Sequence, residues 1–166
     1  MRLLRTFRLR RFLTETEREQ IEAGLDEAQR HTRARIGLRI DERKTADPLG
    51  RARILFQEWT LPESERGSAI LVYVSAASRS FAVVGGDEIR RLAPQSFWEA
   101  VDRDLRRHFQ EARYCDGIFK AIADVALQLE RLFPLHPDCN PEDSHQEDES
   151  VQIRREKPLD SREFKA

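Results

Sequence analysis

Two apolar runs separated by a short turn constrain the fold of this chain more than any other feature, and both lie within Gly67–Glu88. Ala69–Val74 is continuously apolar, which is typical of a strand covered on both faces. Phe81–Val84 follows after a turn, so the pair predicts a buried antiparallel hairpin. The second run ends in Gly85-Gly86, which two acidic residues follow directly. The hairpin is therefore the centre of the predicted fold, and it carries carboxylates to one of its ends.

The segments before the hairpin predict a helix, a strand and a second helix. Thr14 and Glu17 have the spacing of a capping box, which starts a helix. Arg35–Asp41 alternates apolar and polar residues, as a half-exposed strand does. Asp47-Pro48 predicts a helix start, with the aspartate as N-cap and the proline in the first turn. Because this helix connects the first strand to the second, we expect those two strands to be parallel. Pro62–Gly67 predicts a polar loop.

Two amphipathic helices are predicted after the hairpin. Pro94–Ala112 places its apolar side chains on one stripe, and a last helix, capped by Asp116, does the same before Phe133. The element order α-β-α-β-β-α-α implies a small mixed sheet with helices on both faces. His108 falls on the polar side of its helix, so we expect it at the surface.

Charge divides the chain into three parts. Residues 1–12 form a basic N-terminal arm that contains five arginines and no acidic residue. Residues 13–134 form the predicted domain. Residues 135–166 predict an acidic tail that is extended or disordered, because aromatic residues are missing until Phe164 and Asp138–Ser150 contains no Lys or Arg.

Composition narrows the function classes. The 29 Lys and Arg residues nearly balance the 30 Asp and Glu residues, so the chain lacks a global basic field and no nucleic-acid partner is expected. No uncharged run approaches the roughly 20 residues that span a bilayer, and arginines interrupt the apolar residues near the N-terminus. We therefore expect neither a transmembrane segment nor a signal peptide. Cys115 and Cys139 lack metal-ligand spacing and fit a reducing compartment. These features predict a cytoplasmic protein and leave its oligomeric state open.

A family resemblance is carried by the order and spacing of seven segments: Leu13–Ala28, Ala34–Arg39, Asp47–Phe56, Ala69–Ser75, Phe81–Gly85, Ser96–Glu99 and Tyr114–Gly117. Together they resemble the TPM domain, a family that includes bacterial YgcG-like proteins and a thylakoid protein linked to photosystem II repair. The chain is most similar to the short, soluble subgroup without a membrane helix. The resemblance implies a three-layer α/β/α sandwich with a small mixed β-sheet. It also implies binding of divalent cations, often calcium, and in some members a weak acid phosphatase activity.

The acidic residues beside the hairpin are the leading candidate for a metal site. Because the hairpin is antiparallel, we expect Asp87 and Glu88 beside Glu63 and Glu65. Ca²⁺ takes several oxygen ligands, so Glu65, Asp87 and Glu88 are the predicted metal ligands, with Ca²⁺ favoured over Mg²⁺ or Zn²⁺. Arg66 is expected to compete with the metal as an internal counter-ion. The alternative is that these are solvated loop acids and that Asp87 caps the next helical turn.

A second polar group follows the first strand. We expect Asp41, Glu42 and Asp47 near Ser75, at the carboxyl ends of the parallel strands, where α/β sheets bind ligands. The alternative is a helix cap at Asp47 and two exposed acids. Gly85-Gly86 lacks the pattern of a phosphate-binding loop and predicts a strand exit with positive φ.

Three functions are compatible with these features. The leading hypothesis is a TPM-domain protein that binds a divalent cation through the loops at one end of the sheet. One alternative is a weak metal-dependent acid phosphatase, for which the sequence shows no catalytic constellation. The other is a protein-interaction module that engages an unidentified protein partner through the basic arm or the acidic tail.

Overall fold

A computed structural model describes residues 12–135 and 151–152 of the chain. The basic arm up to residue 11 and most of the acidic tail lie outside the described residues. The described elements, in chain order, are α1 (Glu15–Gln29), β1 (Ile36–Asp41), α2 (Pro48–Glu58), α3 (Glu63–Arg66), β2 (Ile70–Ser75), β3 (Ser80–Gly85), α4 (Asp87–Leu92), α5 (Gln95–Gln110), α6 (Tyr114–Leu132) and β4 (Val151–Gln152).

The strands form one mixed sheet in the order β3-β2-β1-β4. Strand β1 runs parallel to β2 along its whole length, from Ile36 opposite Ile70 to Asp41 opposite Ser75. Strands β2 and β3 form the predicted antiparallel hairpin, with Ile70 opposite Gly85. The predicted hairpin and the predicted parallel pair are both confirmed.

Helices cover both faces of the sheet, which confirms the three-layer α/β/α arrangement. Helices α1, α5 and α6 contact one face, and α2 contacts the other through β2 and β3. Even-numbered residues of β1 and β2, among them Leu38 and Val72, are buried in the large core with α1, α5 and α6. On the opposite face Ala52 of α2 packs with Tyr73 and Ala82 in a smaller core.

Two helix starts follow from local sequence as expected. The Glu17 N–H donates to Thr14 Oγ1 at 3.2 Å, and the Thr14 N–H donates to Glu17 Oε2 at 2.6 Å, so the capping box is complete. At α2 the Gly50 N–H donates to Asp47 Oδ1 at 2.9 Å, and Pro48 occupies the first turn. Each cap satisfies helix N–H groups that have no partner inside the helix.

Strand β1 is buried on both faces, which corrects the prediction of a half-exposed strand. The polar face is covered because the Trp59 ring lies over Gly37, where a Cβ atom would be only 2.8 Å from the ring. Arg39 and Asp41 are 7% and 5% exposed. The alternating polar residues of β1 therefore line a buried polar face of the sheet and not a solvent-exposed one.

Three further local predictions are wrong for tertiary reasons. Residues 63–66 form the short helix α3 instead of a loop. His108 is buried rather than exposed, because Gly117 lets α6 approach its Cβ and its Nδ1 lies 2.7 Å from the Asp104 carbonyl oxygen. Asp116 lies inside the first turn of α6 and pairs with Arg113 at 2.9 Å instead of capping the helix.

Candidate functional site

The two acidic segments meet at the end of the sheet where β3 leaves and β2 enters. The Gly86 N–H donates to the Ala69 carbonyl at 2.9 Å, and the N–H groups of Glu88 and Ile89 both donate to the Gly67 carbonyl at 3.0 and 3.1 Å. The backbone of α4 is therefore held directly against the backbone that follows α3. The antiparallel register predicts Asp87 and Glu88 beside Glu63 and Glu65, and the described hydrogen bonds join the backbone of residues 86, 88 and 89 to that of residues 67 and 69.

Gly86 is required at this contact by space rather than by backbone conformation. Its φ is −65°, so the predicted exit with positive φ is wrong. A Cβ atom on Gly86 would lie 2.1 Å from the Arg66 carbonyl oxygen and 2.5 Å from that of Gly67. Distances below about 3 Å are sterically excluded. Only a residue without a side chain lets the two segments approach this closely.

Each of the predicted ligands has a defined position. Glu65 Oε2 accepts a hydrogen bond from Arg35 Nε at 2.6 Å, in a partly buried ion pair between α3 and the entry to β1. Asp87, in the first turn of α4, forms an ion pair with Arg90 one turn later, and its side chain is 91% exposed. Glu88 lies against Gly67, because a Cβ atom added to Gly67 would be 3.5 Å from Glu88 Oε2.

Arg35 and Arg90, and not the expected Arg66, provide the counter-charges for these acids. Arg66 does not compete for the acids; it donates to the carbonyls of Phe56 and Trp59 at 3.1 and 2.9 Å and so ties α3 to the end of α2. Arg35 instead neutralises Glu65. Sequence reasoning missed this pair because Arg35 precedes Glu65 by 30 residues and no local pattern connects them.

The arrangement bears directly on metal binding. Within the described residues, no three His, Cys, Asp or Glu side chains come together in a group that could hold a metal ion. Asp87 and Glu88 provide two adjacent carboxylates, and Glu65 lies across the contact with its charge already paired. Because Ca²⁺ takes 6–8 oxygen ligands, these residues do not form a closed coordination sphere for it.

The second predicted group lies at the opposite end of the sheet, and the structure brings only part of it together. Asp41 and Ser75 are neighbours in the parallel register. Asp47 serves as the α2 cap, and Ser75 Oγ donates to the Arg43 carbonyl at 2.7 Å. Glu42 is only partly buried and does not join them in any contact that the structure describes.

Asp41 instead belongs to a buried charged cluster. Its Oδ2 accepts from Arg51 Nε at 3.3 Å and lies 3.4 Å from the Tyr73 hydroxyl, while Arg39 Nη2 is 4.0 Å from Oδ1. Burial, and next the charge of Asp41, raise the pKa of Tyr73 to about 12. Tyr73 was detectable from sequence, because it lies two residues before Ser75 and so shares a strand face with it. Arg51 was not, since its position depends on how α2 docks.

A cysteine thiol is a further reactive group among the described residues. Cys115 is a free thiol, and burial raises its pKa, with smaller contributions from the charges of Glu17 and Asp116. A raised pKa makes a thiol less nucleophilic at neutral pH. Among the helices of the described residues, none combines the length and hydropathy needed to cross a membrane.

Several solved structures resemble this fold. The BA42 protein from the psychrophilic bacterium Bizionia argentinensis is 21% identical, with a TM-score of 0.68 over 76% of this chain and 88% of that chain. The N-terminal domain of a P. gingivalis protein is 15% identical, with a TM-score of 0.59 over 75% of this chain and 82% of that one. The N-terminal domain of cg2496 from Corynebacterium glutamicum is 11% identical, with a TM-score of 0.55 over 70% and 74%. At these identities the likeness shows a shared fold.

Sequence comparison gives the family. No curated protein matches the chain. The family profile described as the TPM domain matches residues 8–128, which is most of the chain and includes every helix and strand from α1 to α5 and most of α6. The chain therefore belongs to the TPM-domain family.

Proposed function

We propose that this TPM domain binds a divalent cation at the end of the sheet where α3 meets α4, through Glu65, Asp87 and Glu88. The observation that carries the proposal is the close contact at Gly86, which holds two acidic segments within hydrogen-bonding distance of one another. Carboxylate oxygens from two separate segments of a chain can share one cation. The cation supplies positive charge that offsets the repulsion between the carboxylates of the two segments.

Ca²⁺ is the cation that these ligands favour. It accepts variable numbers of oxygen ligands in flexible geometry, whereas Mg²⁺ requires near-octahedral coordination and Zn²⁺ prefers Cys and His ligands. Arg35 and Arg90 compete for two of the three carboxylates. Binding is therefore weak, with a dissociation constant on the order of millimolar, as in low-affinity extracellular calcium modules.

A Ca²⁺ titration followed by amide NMR tests the proposal. We expect saturable shifts at residues 65–67 and 85–89, which the double variant Asp87→Asn/Glu88→Gln removes. Asp116→Asn is the matched control, because Asp116 also lies in the first turn of a helix and pairs with an arginine three residues away. Shifts that are absent at 10 mM Ca²⁺ (about ten times the expected dissociation constant), or that persist in the double variant, contradict the proposal.

The two alternative functions stay predictions. Metal-dependent phosphatase activity requires a metal-activated water and a base. Metal-dependent release of p-nitrophenol from its phosphate ester, abolished by Asp87→Ala, would support this function. An interaction role for the basic arm concerns residues outside the described range, and a pull-down with and without residues 1–11 tests it. The cytoplasmic location predicted from sequence likewise stays a prediction.

A further inference from the structure

Helix α6 carries apolar side chains on its outward face as well as on its buried face. Ile118, Ile122 and Val125 are buried in the large core, as expected of a helix packed on a sheet. Phe119 and Leu127 are nevertheless 47% and 59% exposed. A surface helix normally presents polar residues to solvent, so the core does not account for these two side chains.

The exposed apolar residues follow one line along α6. Phe119, Ala123 and Leu127 are four residues apart, which places them on successive turns of one side of the helix. All three are exposed. The line is about 12 Å long, because each residue of a helix rises about 1.5 Å. These three residues are named the α6 stripe.

Helix α1 adjoins the α6 stripe. A Cβ atom on Gly24 would lie 2.7 Å from Phe119 Cε2, so the Phe119 ring rests against the α1 backbone. Gln20 and Glu27 lie one turn before and one turn after Gly24, on the same side of α1, and both are exposed. The outward side of α6 and this side of α1 therefore form one continuous surface.

Acidic charge dominates the α1 part of this surface. Glu15–Gln29 contains six acidic residues and one arginine, Arg18, which pairs with Glu15. Glu27 forms an exposed ion pair with Arg30 just beyond the helix. A helix is about 10 Å across, so the charges of α1 lie within roughly one Debye length of its side that faces α6.

The charges of α6 nearly balance. Lys120 Nζ lies 2.8 Å from Asp124 Oδ2 and 3.4 Å from Asp104 Oδ2, so its charge is neutralised on the side that faces α5. Glu130 and Arg131, which follow the α6 stripe, are both exposed and opposite in sign. The acidic character of the whole surface is therefore set by α1.

We propose that the α6 stripe and the adjoining side of α1 form a docking surface for a basic amphipathic helix of a partner protein. Such a helix places apolar residues, spaced three and four apart, against Phe119, Ala123 and Leu127. Its Lys and Arg residues then face the acids of α1, which favours association and selects the partner by charge. The surface shares no residue with the proposed cation site.

Two other kinds of occupant are disfavoured by charge. A second copy of the chain would bring the same acidic helix to the interface, and like charges that face each other cost free energy. An anionic membrane surface would be repelled by α1, since such membranes attract basic segments and not acidic ones. The apolar side chains and the acidic helix together therefore favour a partner that is both apolar and basic.

A peptide titration of the full-length protein, followed by amide NMR, tests the proposal. The probe is a synthetic peptide of about 14 residues, or about four helical turns, with leucine at helical spacing and lysine elsewhere. We expect saturable shifts at residues 20–27 and 116–130. The same peptide with glutamate in place of every lysine is the charge control and should not bind.

Two variants test the role of the α6 stripe. Leu127→Ser should raise the dissociation constant of the lysine peptide about tenfold, because the peptide loses a buried leucine contact. Ile54→Ser is the matched control, since Ile54 is 48% exposed on α2 and lies outside the surface. If Leu127→Ser disturbs the fold, Ala123→Lys repeats the comparison by placing a cation opposite the lysines. Its control is Ala77→Lys in the exposed turn between β2 and β3.

Four results overturn the proposal. The first is a lack of saturable shifts at residues 20–27 and 116–130 with about 1 mM lysine peptide, which would mean an affinity too weak for a specific contact. The second is equal binding of the glutamate peptide. The third is equal weakening by each variant and its control. The fourth is a shift of the α6 stripe that follows protein concentration without peptide, because the occupant is then a second copy.

Discussion

The Arg35 guanidinium lies 2.6 Å from the Glu65 carboxylate and ties the entry to β1 to helix α3. Both side chains are largely shielded from solvent, at 18% and 30% exposure. One of the three acids that the sequence offers as metal ligands is thus already neutralised by a residue on a different element. The strength of the proposed cation binding at this end of the sheet depends on that pair.

Replacing Arg35 should strengthen cation binding. Arg35→Gln removes a positive charge from the neighbourhood of the proposed cation and releases Glu65, an effect of about 1 kcal/mol, the size measured for ion pairs at protein surfaces. We expect the Ca²⁺ dissociation constant from NMR titration to fall about fivefold. Arg33→Gln is the control, because Arg33 lies over the Phe133 ring instead of the acids. An unchanged dissociation constant in Arg35→Gln would show that Glu65 takes no part in binding.

The contact at Gly86 should be intolerant of a side chain. In Gly86→Ala the new Cβ meets two backbone carbonyls that cannot move without separating α3 from α4. We expect a loss of about 3 kcal/mol or more in the free energy of unfolding, measured by urea denaturation.

Gly50→Ala is a sharp comparison for this substitution. Its Cβ would also lie 2.1 Å from an oxygen, but that oxygen belongs to the Asp47 side chain, which can rotate away. Alanine has a higher helix propensity than glycine, and this gain offsets part of the stability lost with the cap. We therefore expect a change of about 1 kcal/mol or less in the free energy of unfolding. Equal losses in the two variants would mean that the Gly86 contact can relax.

Much of the fold is predictable because its signals are local. The capping box at Thr14, the Asp47-Pro48 start and the apolar run of β2 each determine their own element, and the antiparallel register then places Gly86 beside Arg66. Side-chain pairs between distant elements are not predictable in this way. The ion pairs Arg35–Glu65 and Arg51–Asp41 form only when their elements dock, so no sequence spacing indicates them. His108 is misplaced for the same reason, since Gly117 on another helix provides its cover.

The capping box should contribute measurably to stability. Thr14→Ala removes the acceptor of the Glu17 N–H, and loss of such a cap costs about 1 kcal/mol. We expect a decrease of that size in the free energy of unfolding by urea denaturation. Thr16→Ala is the control, because Thr16 lies two residues later in the first turn of α1 and is also exposed. It should leave the free energy of unfolding within about 0.5 kcal/mol of the original value. If both variants behave alike, the capping geometry contributes nothing beyond helix propensity.

The Tyr73 hydroxyl should make the fold sensitive to alkali. Its pKa is raised from an ordinary value of 10 to about 12 in the folded protein, so the folded state holds this proton more tightly than the unfolded state does. The stabilisation is fully present below pH 10 and is lost as the pH rises from 10 to 12. We expect a loss of roughly 2 kcal/mol over this interval from Tyr73 alone.

Tyr73→Phe separates this contribution from general alkaline unfolding. The variant lacks the titrating proton, so its free energy of unfolding should fall less steeply between pH 10 and 12 than that of the original protein. At pH 8 the cost should be about 1 kcal/mol or less, because the 3.4 Å distance from the hydroxyl to Asp41 is long for a hydrogen bond. Urea denaturation at pH 8, 10 and 11.5 measures both effects. Parallel pH profiles for the two proteins would mean that Tyr73 ionises as readily in the folded chain as in the unfolded one, and that Asp41 and the surrounding core do not hold its proton.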